Sequence, residues 1–229
     1  MPLVLDGGMK KLLAAMFVAL LMVGCGEEPG GDSPPYNQVP VETLANGKLE
    51  KVIAGAIDKL EIKENNGEEI FYALNQQTPY TGWFKNVDGS GQILELIQFK
   101  DGKQDGLSTF WHEDGWKKSE GNWKDGKEEG LYTTWYENGQ KKSEGNWKDG
   151  KEEGLYTTWY ENGQKHMEEN YKDGKEDGLS TRWYENGQKN YEFTYKDGKY
   201  ISATSWKSNG EQCPDTNLVN GNGIVCLYH

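Results

Sequence analysis

The stretch KKSEGNWKDGKEEGLYTTWYENGQ occupies residues 117–140, and the same letters occur again at residues 141–164. Self-similarity at a period of about 20 to 50 residues is typical of arrays in which each unit buries its apolar surface against its neighbours. The period continues in both directions, because a glycine precedes each aromatic strand at Gly82, Gly106, Gly130, Gly154 and Gly178. The sequence therefore predicts five units, of which the first is degenerate, and a sixth that begins near Ile201.

Two glycine turns divide each unit. In one unit they are Asn138-Gly139 and Asp149-Gly150. Asn, Asp and Gly tolerate the positive φ angles that both central positions of a two-residue type I′ turn need. The runs between the turns, such as residues 130–136, are rich in Thr and aromatic residues and lack helical periodicity. Each unit is therefore predicted to be one β-hairpin.

A two-residue turn at Asn138-Gly139 would fix which residues face each other across the hairpin. Aromatic rings would then face glycines, an arrangement in which a flat ring shields the glycine backbone. The expected pairs are Tyr136 with Lys141, Thr134 with Ser143, Tyr132 with Gly145, and Gly130 with Trp147.

Because the period of 24 residues is even, successive units place their aromatic residues on the same side of the sheet. Rows of stacked aromatic side chains, or aromatic ladders, should therefore form along the array. Such an aromatic face is able to bind glycans or bases, although holding the sheet together is the simpler role for it. The residues of this candidate binding face are Tyr132, Tyr136, Trp147, Tyr156, Tyr160 and Tyr171.

The order of these features resembles the MORN repeat in its bacterial variant form, with Gly130, Trp135-Tyr136, Asn138-Gly139, Trp147 and Asp149-Gly150 in the characteristic places. The resemblance extends from about Tyr80 to Gly210. It implies an all-β fold, an elongated single-layer antiparallel meander of hairpins, and it supplies no catalytic residue. Some bacterial proteins with these repeats form the YwqK-like group, which carries an antitoxin label, and eukaryotic ones are scaffolding modules near membranes.

The N-terminal segment has the features of an export signal. Met9-Lys10-Lys11 precedes an apolar run that is too short for a comfortable membrane span. The run ends in residues 21–25, LMVGC, which resemble the lipobox of bacterial lipoproteins. The resemblance implies lipidation of Cys25, and Gly26 in place of an aspartate implies an outer-membrane address in the cell envelope. An ordinary signal peptide or an uncleaved anchor is the alternative.

The chain thus divides into five regions. Apolar spacing over residues 48–60 predicts a short helix, and Asn66-Gly67 predicts a hairpin next to it. The interval from Gly187 to Gly210 is one residue short of the period, so the regular ladder should end or kink there unless a bulge absorbs the change. The predicted regions are residues 1–24 (signal peptide), 25–45 (disordered tether), 46–79 (N-terminal cap), 80–210 (repeat array) and 211–229 (C-terminal cap).

The C-terminal cap holds two cysteines, Cys213 and Cys226. An exported chain meets an oxidising compartment, where disulfides form and persist. We therefore expect these two residues to form a disulfide that closes the cap. Two unpaired thiols in a strand pair are the alternative.

The net charge and the spacing of the histidine and acidic residues argue against several classes of function. The formal charge is −12, and removal of residues 1–24 takes away two lysines and one aspartate, which leaves about −13. An acidic chain without a basic patch argues against nucleic-acid binding. The histidines lack partners at metal-ligand or triad spacing, and the acidic turns lack EF-hand spacing, so we expect no metal or cofactor.

The sequence favours a non-enzymatic, envelope-anchored module that binds or scaffolds partners. It would contact the membrane through its lipid anchor and bind an envelope protein, or else a glycan. Toxin neutralisation is an alternative, weakened because an exported protein would not meet a cytoplasmic toxin. A carbohydrate-binding or carbohydrate-active protein is a more remote alternative, since carboxylates that recur in every turn do not make one special site.

Overall fold

The computed structural model describes residues 46–65, 67–214 and 216–225. The predicted signal peptide, the tether, Cys25 and Cys226 lie outside these residues. The described part begins with a helix and continues as strands. The elements are α1 (Asn46–Gly55), β1 (Leu60–Asn65), β2 (Glu68–Ala73), β3 (Gly82–Val87), β4 (Ile93–Lys100), β5 (Lys103–Trp111), β6 (Lys117–Lys124), β7 (Lys127–Trp135), β8 (Lys141–Lys148), β9 (Lys151–Glu152), β10 (Gly154–Trp159), β11 (Lys165–Lys172), β12 (Lys175–Glu176), β13 (Gly178–Trp183), β14 (Lys189–Lys196), β15 (Lys199–Ser205), β16 (Asn217–Val219) and β17 (Asn222–Ile224).

The strands from β3 to β17 form one 15-stranded sheet. Every pair in it is antiparallel and follows chain order, except that β9 and β12 pair only with β8 and β11. The predicted all-β, single-layer meander of hairpins is confirmed. A chain in which each hairpin pairs only with its sequence neighbours is what a repeat array requires.

The N-terminal cap contains the predicted helix and the predicted hairpin, whose strands β1 and β2 pair antiparallel, from Leu60 with Ala73 to Asn65 with Glu68. The helix ends earlier than expected, because Ile57 leaves it and pairs in parallel with Phe84 on β3. The Ile57 amide donates to the Trp83 carbonyl at 2.9 Å, and the Lys85 amide donates to the Ile57 carbonyl at 2.8 Å. This segment covers the first edge of the sheet, which would otherwise present unpaired backbone groups.

The two turns of each unit differ. Asp149 and Gly150 have φ of 51° and 77°, as a two-residue type I′ turn requires. At the other turn the Tyr136 amide donates to the Gln140 carbonyl, and the Gly139 amide donates to the Tyr136 carbonyl. The loop between Tyr136 and Gln140 therefore has three residues, 137–139. Only its last residue, Gly139, has a positive φ, of 80°. The prediction of a two-residue turn at Asn138-Gly139 is therefore wrong.

A bulge compensates for the extra loop residue. Trp135 pairs with Lys141 and Thr134 pairs with Ser143, which leaves Lys142 without a partner on β7. The expected pair of Tyr136 with Lys141 is wrong for this reason. Beyond the bulge the predicted register is confirmed, and it joins Thr134 to Ser143, Tyr132 to Gly145, and Gly130 to Trp147.

Buried apolar side chains lie near both ends of the sheet. In the first unit Leu96 is 1% exposed, and Ile97 and Phe99 are also buried; near the other end the buried side chains are Phe193, Tyr195 and Leu218. In the identical units the buried residues are small and polar, such as Thr133 and Ser143. A side chain on a single sheet is covered only by its neighbours on the same face, so small residues between large ones become fully buried. The apolar core of the sheet therefore lies towards its two ends, on either side of the identical units.

At the C-terminal end a bulge absorbs the shortened interval. Between β6 and β7 the register shifts by two residues around Gly130, whereas between β14 and β15 it shifts by one residue between Thr194 and Tyr195. The Gly210 turn still forms, with its amide bonded to the Lys207 carbonyl. Cys213 is buried, and because Cys226 lies outside the described residues, the disulfide stays a prediction.

Candidate binding surface

Five aromatic side chains form a continuous row on one face of the sheet, and we call this row the aromatic ladder. Consecutive ring centroids lie 5.8, 5.5, 6.0 and 6.2 Å apart, and all four contacts are edge-to-face. Each such contact contributes about 0.5 to 1.5 kcal/mol beyond the burial of area. The predicted ladder is therefore present, and its members are Trp123, Tyr132, Trp147, Tyr156 and Tyr171.

Glycines give the ladder its room. A Cβ atom on Gly121 would lie 2.3 Å from the ring of Tyr132, and one on Gly145 would lie 2.5 Å from the ring of Tyr156. Each of these two tyrosine rings therefore lies over a glycine of the preceding unit. Across its own hairpin Tyr132 also faces a glycine, Gly145, whereas Tyr156 faces Glu169. The expectation that rings cover glycines is confirmed, with the covered glycine in the neighbouring unit.

Two of the six candidate residues lie apart from the ladder, at the hairpin ends. The hydroxyl of Tyr136 donates to the Trp159 carbonyl at 2.7 Å, and that of Tyr160 donates to the Trp183 carbonyl at 2.8 Å. Burial raises the pKa of both tyrosines. His112 has the equivalent position two units earlier than Tyr160, with its Nε2 atom 3.2 Å from the Trp135 carbonyl. These side chains join each unit to the next.

The ladder ends at a carboxylate. Glu169 stands where the preceding units have Gly121 and Gly145. Its Oε2 atom accepts a hydrogen bond of 2.7 Å from the Tyr171 hydroxyl, and its Oε1 atom accepts one of 3.2 Å from Ser180. Burial, and then the bond to Glu169, raise the pKa of Tyr171 well above its usual range. Burial, and then the charge of Glu169, also raise the pKa of Glu176.

The opposite face, which we call the charged face, repeats a lysine, a glutamate and a tryptophan. Lys117 lies 2.9 Å from Glu120 and 5.2 Å from the ring centroid of Trp135. The same arrangement recurs at Lys141, Lys165 and Lys189, which contact Glu144, Glu168 and Glu192 and the rings of Trp159, Trp183 and Trp206. Sequence reasoning missed these rows, although a lysine three residues before a glutamate recurs in each unit.

Other candidate sites are weak. A groove of about 530 Å³ lies beside Phe110, Trp111 and His112. In the part of the chain that the structure describes, no three His, Cys, Asp or Glu residues group closely enough to hold a metal ion. No helix among these residues has the length and apolar character to span a bilayer. The aromatic ladder is thus the most extended candidate surface.

Comparison with known families agrees with this geometry. The family model of the MORN repeat variant matches four segments, residues 104–125, 128–149, 152–173 and 176–197. Each match covers the strands on both sides of an Asn-Gly turn or its equivalent. The first hairpin, β3 and β4, lies outside the matched residues. A search of curated proteins found no match. The array therefore contains four MORN variant repeats, and repeats of this kind suggest a binding or scaffolding module.

Proposed function

We propose that the protein is a non-enzymatic lipoprotein of the cell envelope that binds a protein partner on the aromatic ladder. The observation that carries the proposal is the ladder itself, five half-buried rings on a single-layer sheet. Among the described residues no second layer packs on the identical units. Aromatic side chains supply much of the binding energy at protein interfaces, and rings already held by edge-to-face contacts lose little freedom on binding.

The charged face is the weaker candidate for the same role. Its lysines and glutamates already pair with each other, and each lysine also contacts a tryptophan ring. A partner would have to desolvate these pairs, and burying charges costs free energy even when they stay paired. The aromatic ladder carries no such cost over its first four rings.

The lipid anchor at Cys25 rests on the lipobox resemblance of residues 21–25. Replacement of Cys25 by Ala should abolish incorporation of labelled palmitate and release the protein from the membrane fraction. A variant that still carries the label would contradict the anchor. This result leaves binding on the ladder untouched, so the two parts of the proposal are tested separately.

Capture from envelope extracts tests the ladder, using the full chain solubilised in detergent. Tyr156→Ser removes one ring, and it should fold because Ser180 occupies the equivalent position two strands later. Leu155→Ser is the matched control, since Leu155 is half exposed on the opposite face. A partner bound on the ladder should be recovered about tenfold less by Tyr156→Ser than by the wild type, because ring truncation at an interface centre costs at least 1 to 2 kcal/mol. Leu155→Ser should recover the partner as well as the wild type does.

Equal recovery by both variants would overturn the assignment to the aromatic ladder. Captured proteins also separate the remaining alternatives. A toxic protein whose activity is suppressed by binding would support toxin neutralisation, whereas saturable binding to a glycan array without a protein partner would support carbohydrate binding.

A further inference from the structure

The chain has a single arginine, Arg182, among its 25 basic residues. It lies on β13 on the same face as the aromatic ladder, two positions beyond Ser180. Thr134 and Thr158 occupy the same position in the two preceding units. The fold therefore does not need an arginine here, since a threonine fills the position in units that are otherwise closely similar.

Within the described ranges, the guanidinium group of Arg182 forms no salt bridge with a carboxylate. Its Nη2 atom contacts the Sδ atom of Met167 at 3.2 Å, and thioether sulfur is a weak acceptor. Its Nε atom is buried and has no hydrogen-bond acceptor among the described residues. Glu169 lies on the same face, where its oxygens accept from Tyr171 and Ser180, and no ion pair joins it to Arg182. A half-buried guanidinium without a carboxylate is costly unless something else satisfies it.

Two further donors lie around Arg182. Its guanidinium carbon is 5.2 Å from the ring centroid of Tyr191, which pairs directly with it on β14. His166 is the unpaired bulge residue of β11, and its ring contacts Tyr160 at 4.6 Å between centroids. The Nδ1 atom of His166 lies 3.1 Å from Thr158 Oγ1, which leaves Nε2 available to a ligand.

Several departures from the repeat sequence occur close to Arg182. In the identical units the residues equivalent to His166 and Met167 are Lys142 and Ser143, and the residue equivalent to Arg182 is a threonine. These departures from the repeat bring Arg182, His166 and Tyr191 together on the face of the sheet that carries the aromatic ladder. An arginine fork is suited to the two oxygens of a carboxylate or phosphate group.

We propose that Arg182, with His166 and Tyr191 beside it, forms a subsite for an oxyanion, the carboxylate or phosphate group of a ligand. Arg182 holds two oxygens through its fork, and His166 Nε2 and the Tyr191 hydroxyl donate to the same group. The subsite goes beyond the binding of a protein on the ladder and does not depend on it, because a small anion is sufficient to occupy it.

Nuclear magnetic resonance tests the subsite directly. Because Arg182 is the only arginine, its Nε–Hε group gives one resonance in the arginine side-chain region. The full chain is titrated with sodium phosphate and, separately, with sodium acetate, while sodium chloride holds the ionic strength constant. We expect a saturable shift of this resonance. Saturation by phosphate alone assigns a phosphate ligand, and saturation by acetate assigns a carboxylate. Absence of a saturable shift with both anions overturns the proposal.

Three variants separate anion binding from a structural role. Arg182→Lys keeps the charge but loses the fork, and it should weaken binding at least about tenfold, read from the His166 ring resonances. Arg182→Thr should fold like its neighbours and lose the saturable response of His166. Lys142→Ala is the control and should leave the titration unchanged. An unchanged response in Arg182→Thr would also overturn the proposal.

Discussion

At the scale of single residues, several large side chains on the ladder face lie opposite small ones. Ile97 pairs with Ser108, Gly121 pairs with Tyr132, and Ser180 pairs with Phe193. In these pairs the large residue lies on the earlier strand in one case and on the later strand in the other two. Because interiors pack closely, a change in one member should be tolerated only with a change in the other.

Gly145→Ala tests this dependence. A Cβ atom here would lie 2.5 Å from the Tyr156 ring and 3.1 Å from Trp147, so we expect a loss of about 1 to 3 kcal/mol in the free energy of unfolding. Chemical denaturation measures it. In a Tyr156→Ser background the same substitution should cost much less, because the clashing ring is absent. An equal cost in both backgrounds would show that the ring is not the cause.

His166 predicts a dependence of stability on pH. Burial, and then the charge of Arg182, lower its pKa, and Glu169 acts in the opposite direction. A histidine with a lowered pKa in the fold contributes stability that is complete above its unfolded pKa of about 6.5 and is lost as the pH falls through the folded pKa. Thr158 and Tyr160 are its uncharged neighbours.

The matched variant is His166→Asn, because Asn190 occupies the equivalent bulge in the next unit. The free energy of unfolding of the wild type relative to this variant should decrease as the pH is lowered from about 7.5 to 5. Comparing the two proteins cancels the contribution of Glu176, whose pKa is raised. A difference that is constant over this range would refute the effect of His166.

At the scale of the hairpin, the two turns perform different tasks. The Asp-Gly turn reverses the chain in two residues, and the Gly150 amide of that turn also donates to the Glu128 carbonyl of the preceding unit at 3.0 Å. At the other end of the hairpin, the three-residue loop leaves Tyr136 free to reach the next unit with its hydroxyl. Each hairpin is therefore joined to its neighbours at both ends as well as through its strands.

Removal of the Tyr160 hydroxyl measures how much this hydrogen bond between units contributes to stability. Tyr160→Phe should cost about 1 kcal/mol in the free energy of unfolding, because it leaves the Trp183 carbonyl without the donor at 2.8 Å. Tyr156→Phe is the control, since the structure gives the Tyr156 hydroxyl no hydrogen bond within the described residues. A loss of equal size in both variants would indicate that the hydroxyl contact itself contributes nothing.

Hairpins, strand order and the ladder could be predicted from sequence, because the period and the glycine turns set all three. The pairing of Tyr132 with Gly145 was predicted correctly, although the two-residue turn on which the prediction rested does not form. The longer loop and the bulge at Lys142 shift the register by one residue in opposite directions, and neither shift is visible in the letters Asn-Gly. The partners of the Tyr136 hydroxyl and of Lys117 follow from that local geometry, so sequence periodicity could not find them.

At the scale of the molecule, identical neighbours make the array modular. The hydrogen bonds that join units recur at the same spacing, as in the bonds of Tyr136 to Trp159 and of Tyr160 to Trp183. Stability in such arrays is close to a sum of terms within units and between neighbours. The number of units should therefore be changeable without loss of the fold.

Deletion of residues 117–140 tests modularity, because every junction that it creates already exists in the wild type. We expect a shorter protein that unfolds cooperatively, seen by circular dichroism during thermal denaturation. Deletion of residues 117–128 is the control of half that length, and it should unfold the array because it brings strands with mismatched faces together. Survival of both deletions, or of neither, would contradict the modular description.

Repetition also affects how the chain reaches this sheet. Residues 117–140 and 141–164 are identical, so a strand on either side of them finds two partners of equal affinity during folding. Pairing with the wrong copy leaves one unit looped out, and loop-closure entropy opposes this only weakly because it grows slowly with length. The mispaired state must unpair before the complete sheet forms. We therefore expect refolding to include a slow phase of error correction that originates in the sequence identity of the two copies.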